Sequence, residues 1–271
     1  MPFMQVLASA WDLEPSVLLG SFFLLAVYLV VTHFRASRSL FFYSTAIAVL
    51  LFSLISPLDT LGDEYLFSAH MIQHLLLLLV VPPLLLLGIP TEIAQNLLQW
   101  RFAARCESIL ANPFVAWFIG IGTLWVWHIP ALYNGTLESE SLHIFEHLCF
   151  LVTSVIFWWL VLAPVKEHRL SPTTMILYLA SAGMANTLLG IVLAFTPLGI
   201  YPAYLHPADT LGILPTLRGW GLTPEVDQRI AGLLMWFPGG IVYVATALTI
   251  TFRWLIAGEH GQQSASRYGG N

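Results

Sequence analysis

The chain has 271 residues, 58% of them apolar, and only 25 charged side chains, ten basic and fifteen acidic, for a formal net charge of −5. Charged residues make up 9% of the chain, against roughly 25% in an ordinary soluble domain, and the mean hydropathy is +0.79. A water-solvated globular enzyme, a disordered chain and a nucleic-acid-binding protein are all excluded. What remains is an all-α, multi-spanning bundle in a lipid bilayer, one membrane domain over residues 1–271.

Seven stretches are long and apolar enough to cross a hydrocarbon core ~30 Å thick, which takes about 20 helical residues. In chain order they are 16–32, 40–56, 66–88, 113–129, 141–163, 172–196 and 227–257. The N-terminus lacks the basic segment of a cleavable signal, so the first stretch is read as a retained span. Pro82-Pro83 should bend the third span, and Pro238-Gly239-Gly240 the seventh. Between the sixth and seventh, residues 197–225 hold five prolines and four glycines together with Tyr201, Tyr204 and Trp220. So long a connection with this apolar content predicts a packed lid. Residues 258–271 read as a flexible cytoplasmic tail. Cys106 and Cys149 form no CxxC or metal-finger spacing.

The basic residues set the expected orientation. Arg35, Arg38, Arg101, Arg105, Lys166, Arg169, Arg253 and Arg267 fall on one side, and only Arg218 and Arg229 on the other. Eight against two predicts an external N-terminus and a cytoplasmic C-terminus. Asp59, Asp63, Glu64 and Glu140 fall among the acids on the outer side.

This topology gives the histidines their meaning. The third span carries His70 and His74, the fifth His143 and His147. Each pair is spaced i, i+4, which puts both rings on one helical face. Both helices enter from the outside, so all four rings fall within roughly 12 Å of the outer boundary. The fourth span delivers His128 to the same level, and the seventh opens with Asp227-Gln228, with Met235 two turns deeper on the same face as Gln228. Ionisable groups inside spans usually face a bundle interior or an aqueous cavity, and clustered imidazoles suit copper, zinc, iron or nickel. Each piece also has a plainer reading. His128 would serve equally as an interfacial hydrogen-bonder, a single HxxxH pair as a link between helices, and Asp227 and Gln228 as caps of the last helix. Glu146 lies between the two rings of its helix and is the hardest to read as solvated.

The motifs His70–His74 with Pro82-Pro83 and Gly88-Ile-Pro90, Trp127-His128-Ile-Pro130-Ala-Leu-Tyr133, His143-x-x-Glu146-His147 with Phe157-Trp158-Trp159, and Asp227-Gln228 through Met235 to Pro238-Gly239 occur in that order. Together they resemble the CtaG family of caa3-type cytochrome c oxidase assembly factors over about residues 60 to 250. The resemblance implies a bacterial plasma-membrane protein that supports maturation of a haem–copper oxidase by handling copper on the outer side. Its implied partners are oxidase subunits and an outer copper donor; a homo-oligomer stays open. On this reading His70, His74, His143 and His147 hold the metal, with His128 as a candidate addition. Glu146, Asp227, Gln228 and Met235 then support them. Three alternatives remain, one of them a proton or metal transporter with the outer cluster as its entry site. His143-x-x-Glu146-His147 matches the HxxEH pattern of zinc proteases, and paired histidines can ligate haem.

Overall fold

The computed structural model describes residues 8, 10–35 and 37–268, with side chains described as far as Ile256. The expected tail, 258–271, lies outside the described residues in its side chains and, from 269, in its backbone as well. All regular structure among the described residues is helical. We number the helices α1 (Pro15–Val31), α2 (Arg38–Ile55), α3 (Pro57–Glu64) and α4 (Phe67–Gly88), then α5 (Thr91–Leu98), α6 (Arg101–Leu110), α7 (Pro113–Trp127) and α8 (Pro130–Glu138). The remainder are α9 (Glu140–Leu162), α10 (Pro172–Phe195), α11 (Leu214–Gly219) and α12 (Pro224–Tyr268). Six helices start on proline, where the missing N–H would have no helical partner anyway. Several are closed by a side chain one residue earlier: Asn112 accepts from the Phe114 N–H, and Ser139 and Ser171 accept from Leu142 and Thr174.

Five helices, α2, α4, α9, α10 and α12, are long and apolar enough to span a membrane. The other two expected spans are shorter than these, α1 with its expected length and α7 two residues below it. Helix α1 has 17 residues and α7 has 15, about 26 and 22 Å at 1.5 Å per residue. Helix α7 gains length only when joined to α6 across a 76° bend, which raises the count to six. The apolar helices are those of a multi-pass membrane protein.

The most buried of the long helices is α4. It packs against α2, α9 and α12, and α3 folds back on its first turns. Two prolines shape its middle. Residues Leu76–Val80 widen into a π-helix ahead of Pro82-Pro83. The Leu78 carbonyl would look to residue 82 or 83 for a helical donor, and neither proline has one. The Trp158 indole N–H of α9 donates to it instead, at 2.9 Å. Helices α10 and α12 meet backbone to backbone at Gly190, where a Cβ would lie 2.6 Å from the Trp236 nitrogen, and at Gly232, where one would lie 2.4 Å from the Ala194 nitrogen. Such contact between backbones is the usual device where lipid supplies no hydrophobic drive. Pro238 sits inside α12 without ending it, and Asn186 of α10 donates to the Met235 carbonyl there at 2.6 Å.

Candidate metal centre

The chain turns sharply before α4. The N–H groups of Tyr65 and Leu66 both close on the Leu61 carbonyl, Leu66 is extended, and α4 begins at Phe67. Its opening N–H groups are capped from a distant element. Asp227 of α12 accepts from Phe67 N at 2.8 Å, Ser68 N at 3.1 Å and Ser68 Oγ at 2.5 Å. A buried carboxylate at this end also opposes the positive pole of the helix. Asp227 therefore fixes the register of the helix that carries His70 and His74. Helix α3 lies flush against the same turn because residue 62 is glycine: a Cβ there would meet the His70 Cα and N at 3.0 Å.

His70 and His74 stand edge to face at 4.4 Å between ring centroids on α4, and the His143 and His147 rings are tilted by 56° at 4.1 Å on α9. The two pairs meet across the bundle, with His70 5.3 Å from His143 and His74 5.9 Å from His147. Glu146 points between them. Its Oε2 is 3.9 Å from His70 Nε2 and its Oε1 is 3.7 Å from His74 Nε2. Donor atoms of His70, His74, Glu146 and His147 all lie within 4.8 Å of one another, and all four residues are buried.

These atoms have metal-ligand chemistry and little else to bond. His70 Nε2, both ring nitrogens of His74, His147 Nε2 and both Glu146 oxygens have no hydrogen-bond partner. Buried polar atoms are nearly always paired, and leaving one unmade costs about 1–3 kcal/mol. Four residues that each turn at least one such atom toward the others, within 4.8 Å, make the arrangement a cation would complete. Three imidazoles and a carboxylate suit copper or zinc.

A second group, Asp63, His70 and His143, adjoins the first. Asp63 Oδ2 lies 3.3 Å from His143 Nδ1, and Asp63 Oδ1 lies 3.6 Å from His70 Nδ1. His70 thus faces Asp63 with one ring edge and Glu146 with the other. Burial pushes the Asp63 carboxyl well above the usual carboxylate range, reinforced by the charges of Asp59 and Glu146. Burial also lifts Asp59 to about 7, against the opposing effect of a 2.7 Å hydrogen bond from Gln73 Nε2. Gln73 donates as well to the Ser53 carbonyl, tying α4 to α2.

His128 sits beside the cluster, its ring 5.5 Å from that of His74. Both of its nitrogens are engaged, Nδ1 with the Leu124 carbonyl at 2.7 Å and Nε2 with Met71 Sδ at 3.4 Å. The segment 197–225 packs over the same end. Tyr204 Oη donates to the Gly62 carbonyl at 2.9 Å and lies 3.3 Å from His70 Nδ1 and 2.9 Å from Tyr133 Oη. Tyr201 Oη donates to the His128 carbonyl at 2.8 Å. Burial raises both phenols in this segment, so they remain neutral.

Four expected site residues, His70, His74, His143 and His147, are brought together, and Glu146 stands among the donors rather than behind them. Gln228 is turned to the end of α10, donating to the carbonyls of Leu193 and Thr196. Met235 is buried in the core beside Asn186. Asp63, Tyr133 and Tyr204 were not singled out by the sequence. Asp63 lies seven residues before His70, but the break at Tyr65-Leu66 intervenes, so helical spacing gives no sign of their contact.

A bundle of apolar helices with a buried imidazole–carboxylate cluster at one end is that of a multi-pass membrane protein with side chains in its interior that could hold a metal ion. The chain belongs to the cytochrome c oxidase caa3 assembly factor family, Caa3_CtaG, whose profile matches residues 21–257. It is also similar to the uncharacterized protein ML1998 of Mycobacterium leprae, 22% identical over 231 residues, which covers 78% of this chain and 33% of that protein. The uncharacterized proteins Mb0105 of Mycobacterium bovis and MT0111 of Mycobacterium tuberculosis are each 25% identical over 133 residues, 44% of this chain and 20% of theirs. The chain thus spans a third or less of the length of the curated relatives it matches. No solved structure matches it.

Proposed function

We propose that this protein binds a copper ion in the cluster of His70, His74, Glu146 and His147 and makes it available to a haem–copper cytochrome c oxidase during assembly. The observation that carries the reading is the convergence of one donor atom from each of four buried residues, whose unpartnered atoms have no other bond to make. Family membership supplies the context of oxidase assembly. His143 and Asp63 adjoin the cluster, His128 flanks it, and Asp227 holds the helix that bears two of its ligands. Copper is the cargo; the chain's part is to hold it with neutral imidazoles and one carboxylate, away from water.

The cluster lies on the outer side of a bacterial plasma membrane on this reading. With eight basic residues at the opposite end and two at this one, the N-terminus is external and the C-terminus cytoplasmic. All seven apolar segments then cross, α1 and α7 as short spans that are accommodated by local thinning of the bilayer. Residues 197–225 close the site on the outer side, and the partners are an outer copper donor and the oxidase subunits.

The alternatives have less support. An HxxEH hydrolase needs its glutamate free to activate water, whereas Glu146 stands among the donor atoms. Haem would need a flat slot beside the rings. Phe150 packs 4.5 Å from His74 and Tyr133 packs 5.1 Å from His70.

The test is the copper content of the oxidase. In a host whose own copy is deleted, wild-type protein should restore a copper-loaded oxidase. The double variant His74→Ala/His147→Ala, present in the membrane at equal level, should leave the oxidase haem-containing and copper-deficient. Equal oxidase copper in the two strains would refute the proposal.

A further inference from the structure

The cluster is sealed from above. Tyr204 and Tyr201 are hydrogen-bonded to Gly62, Tyr133 and His128, and Tyr133 itself is fully buried. A lateral opening exists elsewhere. A cavity of about 280 Å³ lies between α1, α2 and α9, with His143 and His147 in its wall. Carboxylates line it from mouth to floor: Asp12 and Glu14 just ahead of α1, Glu140 at the start of α9, and Asp59 and Asp63 deeper on α3. Its described lining contains no lysine or arginine. Asp12 and Glu140 are exposed, whereas His147 is 8% exposed and its Nε2 has no hydrogen-bond partner. The cavity therefore runs from exposed negative charge to a buried, unpartnered ligand atom.

We propose that this cavity is the route by which the cation reaches the cluster, and that Asp63, His143 and the Nδ1 edge of His70 form a first holding position along it. The inference rests on the copper-binding reading above and adds a path and a second position to it. Negative charge with low-dielectric walls concentrates cations and raises their rate of arrival. An ion at the mouth meets Asp63 and His143 first, because these are half-buried and line the cavity, while His70 and His74 are fully buried behind them. Transfer inward is ligand exchange without change of oxidation state. Bonds to the Asp63 oxygen, the His143 nitrogen and His70 Nδ1 break as bonds form to His70 Nε2, to nitrogens of His74 and His147 and to a Glu146 oxygen. The proton that His70 carries on Nε2 in the outer position is carried on Nδ1, beside Asp63, in the inner one. His70 takes part in both positions, since Asp63 lies at its Nδ1 and Glu146 at its Nε2. Helix α1 thereby gains a purpose: it forms one wall of the route and contributes no residue to the cluster.

Stopped-flow loading of the purified full chain with copper(I) under anaerobic conditions, followed by competition with a chromogenic chelator, tests this. The triple variant Asp12→Asn/Glu14→Gln/Glu140→Gln should load on the order of 10-fold more slowly and lose the salt dependence of the wild-type rate, while binding the same final amount of copper. Gly20→Trp supplies a plug that changes no charge: Gly20 lines the cavity and has nothing within 4 Å of its Cβ position. It too should slow loading. Unchanged rates in the triple variant and in Gly20→Trp, with wild-type stoichiometry in both, would overturn the route and leave the cluster standing. No copper uptake by the wild-type chain would instead refute the cluster reading itself, and the route with it.

Discussion

Asp227 offers the sharpest test of how the fold positions the site. Replacing it by alanine removes an acceptor of three hydrogen bonds of 2.8, 3.1 and 2.5 Å and leaves the N–H groups of Phe67 and Ser68 and the Ser68 hydroxyl unpartnered. The carboxylate is 1% exposed, so water cannot easily take its place. Losing a helix cap costs about 0.5–2 kcal/mol, and a hydrogen bond to a charged group contributes about 1.5–3 kcal/mol, with less than full additivity when one group serves several donors. A net loss of about 3 kcal/mol follows. Asp227→Asn keeps one acceptor oxygen and should lose about half as much. Reversible unfolding of the metal-free protein by SDS in mixed micelles reads this quantity directly. Because His70 lies in the first turn of α4, copper affinity should fall in the same order, wild type above Asn above Ala. A loss below about 1 kcal/mol for Asp227→Ala would show that the link from α12 to α4 does not hold this helix start in place.

The Asp59 carboxyl makes a pH-dependent contribution with a definite sign. Its folded value is about 7 against about 4 unfolded. Between these values the unfolded chain releases a proton that the folded chain keeps, so this group's contribution to stability falls as pH rises from 4 to 7 and levels off above. Asp59→Asn retains the bond from Gln73 through its amide oxygen. The variant should therefore gain in melting temperature over wild type as pH rises across that window; a constant difference would refute the assignment. Trp158→Phe orphans the Leu78 carbonyl beside the two prolines and should cost about 2 kcal/mol in the same SDS assay; an unchanged midpoint would mean the carbonyl finds another donor. Gly190→Leu places side-chain atoms against the α12 backbone and should cost ~2 kcal/mol or more, whereas Gly122→Ala, with nothing within 4 Å of its Cβ position, should be close to neutral in thermal melting.

Local spacing was legible in the sequence, and distant contact was not. The His70/His74 and His143/His147 pairs follow from the pitch of a helix, and the prolines at 15, 57, 113, 130, 172 and 224 mark helix starts because of what they lack. The expected spans all became helical, and α1 has the expected 17 residues, but apolarity overstated the length of α7, which ends at Trp127 with His128 as its cap, two residues before the expected boundary. Asp227 invited the reading of a cap on its own helix. It caps α4 instead, an arrangement that depends on how α12 packs and that no window of sequence contains. Asp63 and Tyr204 reach His70 for the same reason, one by the reversal between α3 and α4 and the other by the return of residues 197–225 across the bundle. The π-helical stretch at Leu76–Val80 is a response to Pro82-Pro83 that widens the helix where a simple bend is the sequence expectation.

The central claim is that the buried cluster is a copper site, and X-ray absorption at the copper edge on the purified, copper-titrated protein tests it most directly. The account predicts a tightly held ion in a shell of histidine nitrogens with one oxygen, lost in His74→Ala/His147→Ala and retained in the Gly122→Ala control. Absence of tightly held copper in the wild type, or an identical coordination shell in the double histidine variant, would contradict it.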